Sequence, residues 1–255
     1  MAQTVFNRIE KKYLLTEDAC RVLLSRLPRT MWEDQFARST ILNIYYDTPD
    51  FLLVRRSLSK PKYKEKLRLR SYGVPGMDST VFLEIKKKYR GNVNKRREPL
   101  TLREAYAFLH DGVRPARDGQ ILREIGFFLA RYPSLGPRIF LAYDRLALAD
   151  QTGSGFRLTF DRRIRYRTIE TGLERGDGGT LLLPEGWVLM ESKLPGAAPL
   201  WFAQLLSELQ IRQTSFSKVG TAYETLCGSE MLPRQLSRIA DQQSAAETKG
   251  VLFAC

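Results

Sequence analysis

Lys66-Leu67-Arg68-Leu69-Arg70 is the stretch whose reading decides the fold. In a β-strand, successive side chains point to opposite faces, so this stretch sets its cations on one face and its leucines on the other. The same period runs through Arg8-Ile9-Glu10-Lys11-Lys12, aligning Arg8, Glu10 and Lys12. It also runs through Phe82-Leu83-Glu84-Ile85-Lys86-Lys87-Lys88, aligning Glu84, Lys86 and Lys88. Arg157-Leu158-Thr159-Phe160-Asp161 and Trp187-Val188-Leu189-Met190-Glu191-Ser192-Lys193 repeat it, the latter placing Glu191 with Lys193. A solvated sheet face alternates too, but it usually mixes Thr, Ser and Gln with its charges. A cluster of like charges can gather inside a barrel only where a polyanion neutralises the cations or a metal the carboxylates. The pattern therefore describes a ligand.

The 255 residues carry a net charge of +13, which points to an anionic partner and does not choose among a phosphate compound, a nucleic acid and an acidic membrane surface. Cys20, Cys227 and Cys255 lack CxxC spacing, so neither a disulfide framework nor a structural zinc site is indicated. That suits a reducing cytoplasm. No stretch reaches the roughly 20 apolar residues of a bilayer span, and the N-terminus shows no targeting signal. The expectation is a cytoplasmic protein with no membrane segment of its own.

Thr16-Glu17-Asp18 opens a helix that ends at Pro28, and a strand over Ile41–Asp47 leads to the turn Thr48-Pro49-Asp50. Strands around 64–72 and 80–88 follow, and then one carrying Lys95, Arg96 and Arg97. Helices are expected over Leu102–Leu109 and Ile121–Leu129. Further strands are expected over Arg138–Arg145, Phe156–Asp161, Ile164–Thr168 and Trp187–Lys193, with closing helices over Pro199–Leu209 and Ser217–Leu226. No regular βαβ alternation appears, which excludes a doubly wound sheet. The pattern fits an α+β fold, an antiparallel β-barrel tunnel with flanking helices, since closure removes the edges and makes an interior of the charged faces. Residues 1–227 read as the tunnel domain and 228–255, rich in Gln, Ser and Ala, as a disordered C-terminal tail.

The chain has no Gly-rich loop ending in Lys-Ser or Lys-Thr and no GxGxxG after a strand, so phosphates must be held by side chains. A lining of Arg68, Arg70, Lys86, Arg145 and Arg157 suits a chain of phosphates, because Arg offers a planar fork and Lys a mobile point charge. Arg8, Lys12, Lys66, Lys88, Lys95, Arg97 and Lys193 extend the same faces as substrate-binding candidates. Glu10, Glu84, Asp161 and Glu191 have two readings: partners for neighbouring cations, or ligands of Mg2+ or Mn2+. His110, the one histidine, falls at the end of a helix and forms no triad.

Together and in order, Arg8–Tyr13, Tyr45-Tyr46-Asp47-Thr48-Pro49, Lys66–Arg70, Phe82–Lys86, Tyr143-Asp144-Arg145, Arg157–Asp161, Met190–Lys193 and Phe216-Ser217-Lys218 resemble the VTC domain. That domain is the polyphosphate polymerase branch of the triphosphate tunnel metalloenzymes, relatives of the CYTH phosphatases and cyclases. The resemblance implies transfer of the γ-phosphate of ATP to inorganic polyphosphate with Mn2+ or Mg2+. Lys12, Arg68, Arg70, Lys86, Lys95, Arg145 and Arg157 would grip phosphates, Glu191 would hold the metal with Glu10 and Glu84 as further candidates, and Lys218 would guard the substrate. Arg8 stands where the hydrolytic relatives show a glutamate, which favours a polymerase. Thr214, Ser215 and Phe216 stand where the family's polymerases can show a further lysine. The accessory and membrane domains of larger relatives are not expected here, leaving room for a membrane partner protein. The alternatives are a tripolyphosphatase or nucleoside triphosphatase of the same fold, and a polyanion-binding module without turnover. Nucleic acid is not expected as partner, since the cations alternate with aliphatic residues rather than with exposed aromatics.

Overall fold

The computed structural model describes residues 9–90, 92–194 and 196–252. Arg8, aligned above with Glu10 and Lys12, lies outside them. In chain order the elements are β1 (Ile9–Thr16), α1 (Glu17–Ser25), β2 (Met31–Asp47), α2 (Leu52–Leu58), β3 (Tyr63–Tyr72), β4 (Thr80–Tyr89), β5 (Asn92–Thr101), α3 (Leu102–His110) and α4 (Gln120–Arg131). They continue with β6 (Gly136–Asp150), β7 (Arg157–Arg167), β8 (Thr180–Leu181), β9 (Trp187–Leu194), α5 (Leu200–Glu208), β10 (Gln213–Thr214), α6 (Lys218–Leu226) and α7 (Met231–Leu252).

The strands form one antiparallel sheet in the order β10-β1-β9-β7-β6-β2-β3-β4-β5, with β8 on the side of β7. The expected α+β architecture with flanking helices is the one found. Hydrogen-bonded closure of the barrel is not: β10 and β5 remain the two edges of the path.

The leucines and aromatics between the charged residues point outward and are covered by helices, which is why the alternation is so regular. Leu67 and Leu69 of β3 and Leu83 and Ile85 of β4 are buried with Phe108 of α3 and Ile125 of α4. Tyr13 and Leu15 of β1, Leu158 and Phe160 of β7 and Met190 of β9 are buried with Leu23 of α1 and Phe202 of α5. A third apolar cluster sits on the inner face, where Leu14, Ile41, Leu141 and Tyr143 meet Val54 of α2, Val219 and Ala222 of α6 and Leu236 of α7. The concave side is therefore plugged with apolar helix residues in one part and left charged in the rest.

Local signals fix the helix starts. Thr16 caps α1 by accepting from the Ala19 amide at 3.2 Å, and Thr101 with Glu104 forms a reciprocal capping box on α3. Asp47 of the Tyr-Tyr-Asp-Thr-Pro motif accepts from the backbone amides of Thr48, Leu53 and Val54, so this motif acts as the clamp that holds α2.

The stretch after Gly228, expected to be loosely ordered, forms α7 instead. Its Gln243 is buried and donates to Leu14 O at 2.9 Å while accepting from Thr16 N at 2.8 Å. One side-chain amide thus pairs with the free edge of β1 beyond the two-residue β10. Phe156–Asp161 and Ile164–Thr168 likewise belong to one strand, β7. The register slips between Ala142 and Asp144 of β6, opposite Arg163 with its φ of 45°, as a bulge requires.

Candidate functional site

Strand register places the candidate residues on one wall. Lys12 lies opposite Glu191 and Glu10 opposite Lys193. Arg157 pairs with Lys193 and Thr159 with Glu191, and Arg145 lies opposite Asp161. On the other side Asn43 and Tyr45 of β2 face Arg70 and Arg68 of β3, which pairs Arg68 with Glu84 and Lys66 with Lys86 of β4. Lys95 then pairs with Lys86, and Arg97 with Glu84. Lys218, in the first turn of α6 behind its Ser217 cap, enters the same space from the plug.

Glu84 anchors one side. Its carboxylate, 1 % exposed, lies 2.6 Å from Arg68, 2.7 Å from Lys95 and 4.0 Å from Arg70. Burial pushes this carboxyl up, but Arg68, Arg70 and Lys95 outweigh it and bring it down to about 2. The arginines are aimed a second time: Arg68 donates to Tyr45 Oη at 3.0 Å, and Arg70 to Asn43 Oδ1 at 2.9 Å and Tyr143 Oη at 3.2 Å.

Asp161 and Glu191 anchor the other side. Arg145 holds Asp161 through two bonds of 2.6 and 2.7 Å, and Lys218 Nζ lies 2.6 Å from Asp161 and 3.0 Å from Glu191. Glu191 also stands 3.6 Å from Lys12 and 3.8 Å from Arg145, while Lys12 donates to Phe216 O at 2.9 Å. Burial raises both carboxyls, yet Lys218 with Arg145 and, at Glu191, Lys12 hold them below the ordinary range. Burial alone would lower the Lys218 ammonium, and Asp161 and Glu191 raise it instead. Tyr143 joins the two sides: its hydroxyl accepts from Arg70, and its ring lies 5.1 Å from the Arg145 guanidinium and 4.6 Å from Lys218 Nζ.

Lysines whose proton affinity is lowered on balance lie beside these anchors. Lys66 is brought down to about 8 by burial, assisted by Lys64, Lys86 and Lys12 against the opposing pull of Tyr45. Lys64 is lowered by burial together with Lys88, Lys86, Lys60 and Lys12. Lys12 belongs to β1, yet it acts on two residues of β3, although β9, β7, β6 and β2 stand between them in the sheet. The sheet is therefore curled, with β1 brought toward β2 and β3 on its concave side. Lys95 is lowered to about 8 and Lys193 is also lowered, each first by burial and then by neighbouring arginines. Tyr45, whose hydroxyl burial alone would raise, is brought down to about 8 by Arg68, Lys66 and Arg70.

As a metal site, Glu191 and Glu10 fit. Glu10 is exposed and shares Lys12 with Glu191, and Glu191 Oε2 has Arg145 at 3.8 Å, which leaves this hard oxygen open to an ion also held by phosphate. Glu84 fits less well, since cations lie 2.6 and 2.7 Å from its two oxygens, closer than Arg145 lies to Glu191 Oε2. Among the described residues no group of three or more Asp, Glu, His or Cys is placed to hold an ion by itself.

Lys86, Lys95, Arg97 and Arg157 are exposed along the same face, and Lys88 and Lys193 are half-buried. His110 lies apart, its Nε2 3.1 Å from Tyr46 Oη. Asn43, Tyr45 and Tyr143 join the site without a role given them from sequence, although Tyr45 and Tyr143 stand in the motifs quoted above. Asn43 carried the clearest signal, as a buried amide inside the apolar run Ile41-Leu42-Asn43-Ile44. An outer groove of about 540 Å3 beside α4 is also charged, but Lys87 and Arg96 are tied to Glu124, and Arg131 to Glu65.

The curled antiparallel sheet, charged inside and covered by helices outside, is a triphosphate tunnel fold. A sequence model of the VTC domain matches residues 7–227, and the chain belongs to that family. No curated protein matches it in sequence. Among solved structures, it is similar to a Bacillus halodurans protein provisionally described as an adenylate cyclase, with 16 % identity over 84 % of this chain and 96 % of that one and a TM-score of 0.52. A Hippeastrum protein provisionally described as an adenylyl cyclase, with a dominant triphosphatase activity, is 16 % identical over 83 % of this chain and 93 % of its own, with a TM-score of 0.47. Among the described residues no helix is long and apolar enough to cross a membrane.

Proposed function

We propose that the protein is a polyphosphate polymerase that passes the γ-phosphoryl group of ATP to the end of an inorganic polyphosphate chain. The observation that carries this reading is the surplus of cations. Beyond the arginines set by Glu84 and Asp161, the channel holds Lys64 and Lys66 with depressed proton affinity and Lys86 and Lys88 opposite them, more positive charge than one triphosphate neutralises. A long polyanion relieves that repulsion.

In the reaction, a terminal oxygen of the primer forms a bond to the γ-phosphorus while the bond from that phosphorus to the β,γ-bridging oxygen breaks, and ADP leaves. Arg68, Arg70 and Arg145 are aimed in advance at the equatorial oxygens, so they stabilise the spreading negative charge without reorganising. Lys12 and Lys95 flank the phosphates, and Lys66, Lys86 and Lys88 hold the growing chain. Arg157 and Lys193, paired across β7 and β9, would hold phosphates at another part of the wall. Lys218, locked between Asp161 and Glu191, guards the substrate by keeping those carboxylates from repelling it. A bound Mn2+ or Mg2+, held by Glu191 and Glu10, would supply further neutralisation of phosphate charge.

Incubating the purified protein with ATP and either Mn2+ or Mg2+, and resolving the products on a polyphosphate gel, tests the proposal. Long chains together with ADP are expected. Orthophosphate as sole product would assign a triphosphatase instead, and unconsumed ATP with retained polyphosphate binding would leave a polyanion-binding module.

A further inference from the structure

The inner face of β3 runs Lys66, Arg68, Arg70, Tyr72, so the row of phosphate-type residues ends on an aromatic ring. Tyr72 is 51 % exposed, although it lies on the charged concave face rather than among the outer cores. Phe82 of β4, directly opposite Arg70, meets the Tyr72 ring edge-on, with centroids 5.9 Å apart and planes at 83°. Arg97 of β5 lies over the other ring, its guanidinium carbon 4.7 Å from the Phe82 centroid. The edge-to-face contact restrains the Tyr72 ring, which stays half-exposed, and Arg97 packs against Phe82 from β5. The platform adjoins the arginines that Glu84 holds.

We propose that Tyr72, oriented by Phe82 and Arg97, is the stacking surface for the base of a nucleoside triphosphate whose phosphates run along Arg70 and Arg68. The inference rests on the reading of this channel as a phosphate site and adds to it which ligand enters and which way round. Tyr72 and Arg68 are four residues apart, about 13 Å along a strand. An extended nucleoside triphosphate covers a comparable distance from base to terminal phosphorus. The γ-phosphate then lies at Arg68 and points toward Lys66 and Lys86, so the acceptor chain approaches from the lysine side and the nucleotide from the aromatic side. Stacking reads the π-face that every base has, so the site holds a nucleoside without selecting adenine.

The test compares three probes on the full chain: ATP, GTP and inorganic tripolyphosphate, which has the phosphates and no base. Binding is followed by calorimetry. ATP and GTP should bind alike and more tightly than tripolyphosphate. Tyr72→Ala should weaken both nucleotides by about 5- to 20-fold and leave tripolyphosphate unchanged, while Tyr72→Phe should bind like the parent. The fluorescence of 2-aminopurine riboside triphosphate should be quenched on binding, and the quench should disappear in Tyr72→Ala. Equal binding of ATP and tripolyphosphate by the parent, or equal weakening of both in Tyr72→Ala, would overturn the stacking site and leave the phosphate channel standing. A parent that binds none of the probes would remove the channel reading and the stacking site together.

Discussion

The arginines and the lysines of the channel are held in opposite ways. Each of Arg68, Arg70 and Arg145 has a buried carboxylate within 4.0 Å, and Arg68 and Arg70 also donate to a tyrosine or an asparagine. Lys64 and Lys66 instead face other lysines, and both are pulled below the ordinary lysine range. The arginine side is complete before any substrate arrives, as transition-state stabilisation demands. The lysine side is strained until an anion comes, which suits a surface that must grip a moving chain and let it slide.

Opposite mutational signs follow from this difference. Asp161→Ala removes the fully buried partner of Arg145 and Lys218 and strands two cations; it should lower the unfolding free energy by about 3–5 kcal/mol in urea titrations. Lys66→Gln should do the reverse, raising stability at pH 7 by roughly 1–2 kcal/mol because a crowded charge is removed, while polyphosphate binding weakens. If both substitutions destabilise alike, the lysines are compensated and the contrast is wrong.

The pH dependence sharpens the same point at smaller amplitude. Lys66 and Lys95 lose their protons near 8 in the folded chain and above 10 when unfolded, so between those values the unfolded chain binds more protons and stability rises with pH. Tyr45, also near 8, acts in the same direction. Cys20 opposes them, since burial, ahead of the counteracting Arg162, pushes its thiol up to about 11. The net expectation is a gain of roughly 1 kcal/mol between pH 8 and 9.5, flattened by tripolyphosphate, which returns protons to the lysines. Stability that falls across this interval without ligand would show that the lysines are not under strain.

Much of this architecture was legible from period-two alternation, because an inner charged face and an outer helix-covered face impose it on every long strand. The reading faltered wherever the phase shifted. The bulge at Arg163 divided β7 into two apparent strands. In β6, Arg145 shares its face with the apolar Leu141 and with Tyr143, since there the plug helix α6 replaces the ligand as neighbour. Helix α7 escaped because its apolar residues, Leu232, Leu236 and Ile239, are sparse and its main anchor, Gln243, is polar. The carboxylates were visible in sequence, but their division was not: Glu84 binds arginine and lysine, while Glu191 keeps an open oxygen, and only three-dimensional neighbours decide that.

The smallest effect probes the outermost part of the lysine side. Lys88 lies opposite Lys64 at the far end of the β3–β4 ladder from Phe82, and it is only half-buried. A charge so placed is partly screened and worth less than about 1 kcal/mol, so Lys88→Ala should weaken polyphosphate binding by about two- to fivefold. A tripolyphosphate seated at Arg70 and Arg68 does not reach Lys88, so its affinity should stay the same. The discriminating quantity is the dependence on chain length: the parent should gain affinity with each added phosphate beyond three, and the variant should gain less. Equal weakening of short and long chains would mean that Lys88 acts through the general field of the protein, and the division into an arginine part for the nucleotide and a lysine part for the polymer would have to be given up.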